Sequence, residues 1–166
     1  ALTKDSATLT SGSLVSWHTI TFNISGSQTD AGSSANTINS VIIKTGDKDV
    51  TENYDVTLTP GTLTVNKRPV TYKADGGSKI YDGTALTKDS ATLTSGSLVS
   101  GHEASFTLSG SQTIVGSSTS TISTVTIKNG TIDVTSNYSI TKETGNLIVS
   151  KRPITFTSGS SSKEYD

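Results

Sequence analysis

This chain contains an internal repeat that limits the folds open to it. Its first sixteen residues, ALTKDSATLTSGSLVS, recur letter for letter at residues 85–100. When the sequence is shifted against itself by about 84 positions, about 49 of roughly 82 overlapping residues are identical, and no gap is needed. A repeat of this size within 166 residues predicts two small units of one fold rather than a single large domain.

Apolar and polar residues alternate along most of the repeat, which is the pattern of half-buried β-strands. The alternation is clear at residues 20–24, 54–58 and 63–65, and residues 38–43 indicate a strand that contains a bulge. No segment has apolar residues at helical spacing. Short strands between Gly-, Ser- and Asn-rich turns predict an all-β fold of tandem small antiparallel β-sandwich repeats, with a β-grasp-like fold as the alternative.

Composition excludes several classes of function. The formal net charge is -1 with both signs interspersed, so there is no electrostatic basis for binding nucleic acid or an anionic membrane. No apolar run is longer than three residues, as at Val41 to Ile43, and this is far too short to span a membrane. The chain has no cysteine, whereas a small extracellular animal domain would usually carry disulfides. Their absence favours a bacterial surface protein, with a cytosolic protein as the alternative.

Residues that could carry chemistry form no constellation shared by the two units. His18 and His102 lack a second nearby ligand and are expected to be loop residues. An acidic cluster at residues 47–55 offers oxygen ligands for a hard cation, but the second unit keeps only one of its four acids, so a solvated loop is expected. The four acids are Asp47, Asp49, Glu52 and Asp55, and their counterparts are Thr131, Asp133, Ser136 and Ser139. We therefore expect no enzyme activity, no metal and no cofactor.

Several short motifs follow one another in a fixed order. They are KIYDGT at residues 79–84, NY at Asn53-Tyr54 and Asn137-Tyr138, and GTLTVNKRPVTY from Gly61, which GNLIVSKRPITF echoes from Gly145. In this order they resemble the YDG or MBG repeats of bacterial surface proteins, which occur in tandem in large adhesins. The resemblance covers essentially the whole chain and implies an Ig-like fold, a bacterial cell-surface location and a role in cell adhesion.

The resemblance also implies where the units begin and end, because a unit of that family runs from KRP through YDG to the next GTLTV strand. Residues 1–68 are then a unit that lacks its first strand, residues 69–151 are a complete unit, and residues 152–166 are the first strand of a following unit. The joint at residues 65–72, VNKRPVTY, has no flexible linker, and Pro69 restricts its own φ and the preceding residue. We expect this joint to be stiff.

The motifs themselves have structural interpretations. Tyr81 and Tyr165 are expected to fill apolar edges while their hydroxyl groups find backbone partners. Asp82 and Gly83 are expected to form a tight turn in which the glycine has a positive φ. The amides of Asn53 and Asn137 are expected to hold the loop before the strands that begin at Tyr54 and Tyr138.

A repeated, nearly neutral, polar β-module predicts a structural role as a stalk or spacer of a bacterial adhesin or fibre, with neighbouring repeats of the same protein as partners. The alternative is an adhesive module that binds host glycan or protein. In that case Trp17, which is Gly101 in the second unit, is the candidate ligand contact.

The frame of the repeat suggests one more partner. Ile154 and Phe156 of one chain are expected to dock where Val70 and Tyr72 would sit against the N-terminal half of the next chain, giving head-to-tail chains or a fibre. Two alternatives are that the 166 residues are a window from a longer array, or that residues 70–82 fold back onto the N-terminal half as a circular permutant.

Overall fold

The computed structural model describes all residues 1–166, which group into two compact units. Unit 1 contains Ala1–Arg68 with Ser136–Ser139, and unit 2 contains Pro69–Thr135 with Ile140–Asp166. Both are built from β-strands, and the helical content is limited to short 3-10 turns at Thr51–Asn53 and Thr135–Asn137. The all-β prediction is confirmed, and the β-grasp-like alternative fits poorly because neither unit has an α-helix to pack across a sheet. None of the helical segments is long and apolar enough to cross a bilayer.

Unit 1 has one sheet organised around its longest strand. The strands are β1 (His18–Ser25), β2 (Gly32–Thr45), β3 (Lys48–Asp49) and β4 (Gly61–Val65), and β2 pairs antiparallel with each of the others. The first part of β2, residues 32–36, pairs with β4, whereas residues 37–45 pair with β1. A single strand thus serves two parts of the fold, as strands do at the corners of sandwiches.

The predicted bulge lies in the part of β2 that pairs with β1. The register between β1 and β2 shifts between Asn23 and Ile24, so that Asn23 pairs with Ser40 and Ile24 with Ile38. Because side chains alternate along a strand, one extra residue allows Ile38 and Val41 to face the same side of the sheet.

Unit 2 repeats these elements and adds a second sheet. Its strands are β5 (Arg68–Ala74), β6 (Gly77–Ile80), β7 (Ala91–Gly96), β8 (His102–Ser109), β9 (Gly116–Asn129), β10 (Ile132–Asp133), β11 (Tyr138–Glu143) and β12 (Gly145–Ser150). The first residue of β5 and the first two of β11 group with unit 1, and we count both strands with unit 2, which contains the rest of them. One sheet has the order β10-β9-β12-β6 with β8 also on β9, and the other has the order β11-β5-β7. The pair β6 and β12 is parallel, whereas β9 pairs antiparallel with β8, β10 and β12.

The core of unit 2 lies between these two sheets. From β5 it receives Val70, Tyr72 and Ala74, which are all buried. The facing sheet supplies Ile122, Val125 and Ile127 from β9 and Leu147 and Val149 from β12. The alternation of buried and exposed residues along β5 and β12 is the pattern expected of strands that face a core on one side.

Unit 1 lacks the second sheet. Residues 7–12 and 54–59 are equivalent to β7 and β11 by the repeat, yet neither stretch is a strand. The strand predicted at residues 54–58 is therefore wrong in unit 1, although its counterpart in unit 2 is β11. The reason is that β5 lies between β7 and β11 and supplies their pairing, and nothing occupies that place in unit 1. The circular-permutant alternative is also wrong, because β5 pairs with β7 and β11.

Candidate functional site

A cavity of about 610 Å³ lies in unit 1, lined by β1, β2 and the residues equivalent to β7 and β11. Its floor comes from β1 and β2, and its sides come from residues 7–14 and 54–59. We call this cavity the unit 1 groove. The side chains of its floor are mostly apolar, and they are Ile20 and Phe22 of β1, and Ile38, Val41 and Ile43 of β2.

The same space in unit 2 is occupied by β5. Val70 and Tyr72 of that strand are 2% and 3% exposed. Ile122 and Val125 beneath them are buried, whereas their counterparts Ile38 and Val41 in the unit 1 groove are only half-buried. The groove therefore exposes apolar surface that an inserted strand would cover.

Two glycines in unit 2 mark where β5 comes closest to its neighbours. A Cβ added at Gly96 would collide with the carbonyl oxygen of Pro69, and one added at Gly145 would collide with that of Ala74. Their counterparts in unit 1 are Gly12, which has nothing within 4 Å, and Gly61, whose nearest neighbour is the Asn36 Cβ at 3.8 Å. Unit 1 thus keeps both glycines that admit a strand, although no strand is present there.

The segment that carries Ile154 and Phe156 has no regular secondary structure from residue 151 to residue 166. Ile154 is 72% exposed and Phe156 is 89% exposed. The Arg152 Nη1 donates to the carbonyl oxygen of Tyr81 at 3.2 Å. Tyr165 is fully exposed, so it does not fill the apolar edge that was expected of it.

The YDG motif forms a closed polar turn at the end of β6. The Lys79 ammonium donates to Asp82 Oδ1 at 2.7 Å and to the carbonyl oxygen of Thr84 at 2.6 Å. Asp82 Oδ1 also accepts the backbone N–H and the hydroxyl group of Thr84. The bond from Lys79, followed by those from Thr84, holds the pKa of Asp82 well below its usual value.

The remaining residues of this motif behave partly as predicted. Gly83 has a φ of 83°, which confirms the positive φ predicted for this glycine, and Gly83 and Thr84 form a bend. The backbone N–H of Tyr81 donates to the carbonyl oxygen of Ser150, which extends the pairing of β6 with β12. The Tyr81 side chain is 40% exposed, so it covers the edge only in part.

Tyr54 of the first NY motif connects two distant parts of unit 1. Its hydroxyl oxygen accepts the backbone N–H of Val15 at 3.1 Å and lies 2.6 Å from the Nδ1 of His18. The two rings also meet edge to face. The expectation that His18 and His102 are loop residues is wrong, because they are the first residues of β1 and β8, where the alternation of each strand makes them half-buried.

The asparagines of the two NY motifs differ in their contacts. Asn53 ends a 3-10 turn, and its backbone N–H donates to the carbonyl oxygen of Val50. The side chain of Asn137 accepts the backbone N–H of Ala31 at 2.7 Å and donates to Asp30 Oδ1 at 2.8 Å. Tyr138 follows it as a buried residue at the start of β11.

Trp17 lies in the turn that leads into β1, where the His18 N–H donates to the carbonyl oxygen of Val15. The φ of Trp17 is 66°, a left-handed backbone conformation that residues other than glycine rarely adopt, and its side chain is 92% exposed. Gly101 has a φ of 82° at the equivalent turn. The turn geometry is therefore a property of the repeat, and unit 1 places an indole where that geometry favours glycine.

The carboxylates of the expected solvated loop bind to their own backbone rather than converge. The hydroxyl group and N–H of Thr51 both donate to Asp49 Oδ1 and lower the pKa of Asp49. Thr135 has the same effect on Asp133. Nowhere in the structure do three or more His, Asp or Glu side chains form a group that could hold a metal ion.

Sequence reasoning identified the missing strand but not the groove that its absence leaves. The identity of Gly12 with Gly96 and of Gly61 with Gly145 was visible in the repeat. Why glycine is needed at these positions is clear only from the structure, in which the β5 backbone passes close to both glycines of unit 2. The chain matches no protein-family model, no curated protein and no solved structure.

Proposed function

We propose that this chain is a stalk or spacer segment of a bacterial cell-surface adhesin or fibre, of the YDG or MBG type, with an Ig-like fold. A spacer must transmit tension along its length without unfolding. Repetition of one module suits this role, because each copy needs only to connect to the next and the length varies with copy number. The proposal places the protein outside the cell with neighbouring repeats as its partners.

The observation that carries the proposal is the position of the two strands through which tension would enter and leave unit 2. The chain enters unit 2 through β5, which lies between β11 and β7, and leaves through β12, which lies between β9 and β6. Each of these strands is held on both edges, and the core side chains of β12, Leu147 and Val149, are almost fully buried.

This arrangement resists tension for a simple reason. Hydrogen bonds between strands run across the strand direction, so a force along the strand loads several of them together instead of one after another. In unit 1 the last strand, β4, pairs only with β2. We therefore expect unit 2 to unfold at a higher force than unit 1 when the unit 1 groove is empty.

Single-molecule force spectroscopy of the full chain, pulled by its two ends, tests the proposal. We expect two unfolding events of different force. Val149→Pro, which removes a backbone donor from the pairing of β12 with β9, should lower the larger force, whereas the matched change Val65→Pro in β4 should affect only the smaller one. If unit 2 unfolds at a force no higher than unit 1, the mechanical proposal is wrong.

Small-angle X-ray scattering gives a second test, based on the stiff joint that residues 65–72 predict. The chain should scatter as an elongated particle roughly twice as long as one unit. A compact profile would contradict a spacer function.

The adhesive alternative is supported by Trp17 alone. An indole that is 92% exposed and held at a left-handed turn offers a flat apolar face for stacking on a sugar ring. A glycan array probed with the chain and with Trp17→Gly tests this function, because the variant reproduces the turn of the second unit. Binding that depends on Trp17 would favour adhesion, and equal signals from both proteins would exclude this contact.

A further inference from the structure

We propose that the unit 1 groove binds residues 152–166 of a second copy of this chain as a donated strand, so that copies assemble head to tail. The groove and the segment are both exposed, and each lacks what the other supplies. The inference stands on the geometry of unit 1 and does not depend on the stalk function.

The first argument is that the structure already shows this interaction once, within unit 2. There β5 fills the space that is open in unit 1, and residues 152–158 are its counterpart in the repeat. Ile154 stands in place of Val70 and Phe156 in place of Tyr72. A branched aliphatic residue and an aromatic ring are thus presented at the two positions that point into the core.

The second argument concerns what the donated side chains would contact. In unit 2 the Tyr72 ring packs edge to face on the Phe106 ring, with centroids 4.9 Å apart. Phe22 is the counterpart of Phe106 and lines the unit 1 groove. Phe156 docked in the place of Tyr72 would meet Phe22 in the same way, and both rings would leave water.

The third argument is that the backbone of the groove has room for a strand. Gly12 and Gly61 occupy the positions at which β5 approaches Gly96 and Gly145 too closely for any Cβ. A donated strand would also find partners on both edges, since residues 7–12 and 54–59 are equivalent to the strands that flank β5. Addition of a strand to unpaired backbone is a general mode of peptide recognition.

One position of the donor departs from the pattern. A Cβ at Gly76, in the turn between β5 and β6, would lie 2.5 Å from the carbonyl oxygen of Asn146. Ser160 occupies the equivalent position of the donor segment. We therefore expect Ser160→Gly to tighten assembly, because it removes this collision without changing Ile154 or Phe156.

Sedimentation velocity of the full chain across a wide concentration range is the primary test. We expect dimers and longer species to grow with concentration. The donor variant Ile154→Asp with Phe156→Asp should remain monomeric, because it places charges where the core would be. Both residues are exposed in the free chain, so the change should not affect folding. Thr155→Asp is the matched control and should still assemble, because Thr155 is equivalent to Thr71, which lies between the buried residues of β5.

The acceptor variant is Gly61→Ala. An added Cβ there has space in free unit 1 but would collide with a docked strand, so association should weaken by about tenfold or more while circular dichroism stays unchanged. A mixture of the donor and acceptor variants should form one full-strength junction per pair, because the acceptor variant's segment and the donor variant's groove are both unchanged, and assembly should stop at dimers.

The last variant is a chain that supplies a strand to its own unit 1 groove. Placing a copy of residues 67–84 directly before Ala1 restores the repeat frame, fills the groove within one chain and should give a stable monomer that no longer assembles.

Three results would overturn the proposal. They are a wild-type chain that stays monomeric at all concentrations, donor variants that assemble as the wild type does, and a monomer in which Ile154 and Phe156 are protected because the segment has folded back. Failure of strand donation would leave the force measurement on unit 2 unaffected, so the two proposals fail separately.

Discussion

The ring of Tyr72 packs edge to face on the ring of Phe106, with centroids 4.9 Å apart and an angle of 63° between the ring planes. The contact joins β5 in one sheet of unit 2 to β8 in the other. Phe22, the counterpart of Phe106, faces the unit 1 groove instead. Whether a strand occupies this place is therefore the main difference between two units that share most of their sequence.

The first prediction compares two aromatic residues at one position of the repeat. Tyr72→Ala should lower the free energy of unfolding of unit 2 by about 3 kcal/mol, because it removes a ring that is almost completely buried and leaves a cavity. Phe156→Ala should change the stability of the monomer by less than about 0.5 kcal/mol, because Phe156 is exposed. Urea denaturation of both variants at low protein concentration measures the difference, and similar losses would contradict the assignment of β5 to the core.

The second prediction compares two glycines that the repeat makes equivalent. Gly145→Ala should destabilise unit 2 by about 1–3 kcal/mol, because the added Cβ would collide with the β5 backbone. Gly61→Ala should be nearly neutral or slightly stabilising, because its Cβ has space and alanine restricts the unfolded chain. Thermal unfolding of the two variants measures this, and a large loss on Gly61→Ala would mean that the groove is filled in solution.

The third prediction concerns the turn before each first long strand. Trp17→Gly should raise the stability of unit 1 by about 1 kcal/mol, because it relieves a left-handed conformation of a residue with a Cβ. Gly101→Ala should lower the stability of unit 2 by a similar amount, about 1 kcal/mol, for the same reason. Opposite signs in denaturant midpoints are the expected result, and a destabilising Trp17→Gly would show that the indole makes stabilising contacts.

The fourth prediction concerns acid. The hydroxyl and N–H groups of the threonines two residues later lower the pKa of Asp49 and Asp133 below their ordinary value of 3.8, and Lys79 with Thr84 does the same for Asp82. The pKa of each of these carboxyl groups is lower in the folded state than in the unfolded state. Each group therefore stabilises the fold at pH values above its unfolded-state pKa, and this contribution is lost as the pH falls through its folded-state pKa. The free energy of unfolding should therefore be level from about pH 7 to about pH 5 and decline below about pH 4.

Denaturation at several pH values with Asp49→Asn and Asp133→Asn tests this dependence. The variants should be less stable than the wild type near neutrality, and the difference should shrink in acid, because the wild-type carboxyl groups are then protonated as well. A difference that stays constant across the whole range would show that ionisation of these two groups does not matter.

The alternation of residues 20–24 and 63–65 predicted β1 and β4, and the spacing of Ile38, Val41 and Ile43 predicted a bulge in β2. These succeeded because a strand that faces a core on one side imposes period two on its own sequence. The strand predicted from the same alternation at residues 54–58 is absent in unit 1, because pairing depends on a neighbouring strand from elsewhere in the chain. The candidate site was likewise predictable only in part. The difference between Trp17 and Gly101 in the repeat identified Trp17 as a candidate contact, whereas the groove could be located only from the folded backbone.

That this protein is an all-β chain of two related units follows from the order of its residues, because the repeat and its periodicity are local properties of the sequence. It also determined which residue types a donated strand would carry. Only the tertiary structure decided that β5 pairs within the second sheet of unit 2, that the equivalent place in unit 1 is an open groove, and that Gly12 and Gly61 leave room for a backbone there. The physical reason is that near-identical segments have identical local preferences, so the difference between the two units depends on which distant strand packs against each of them.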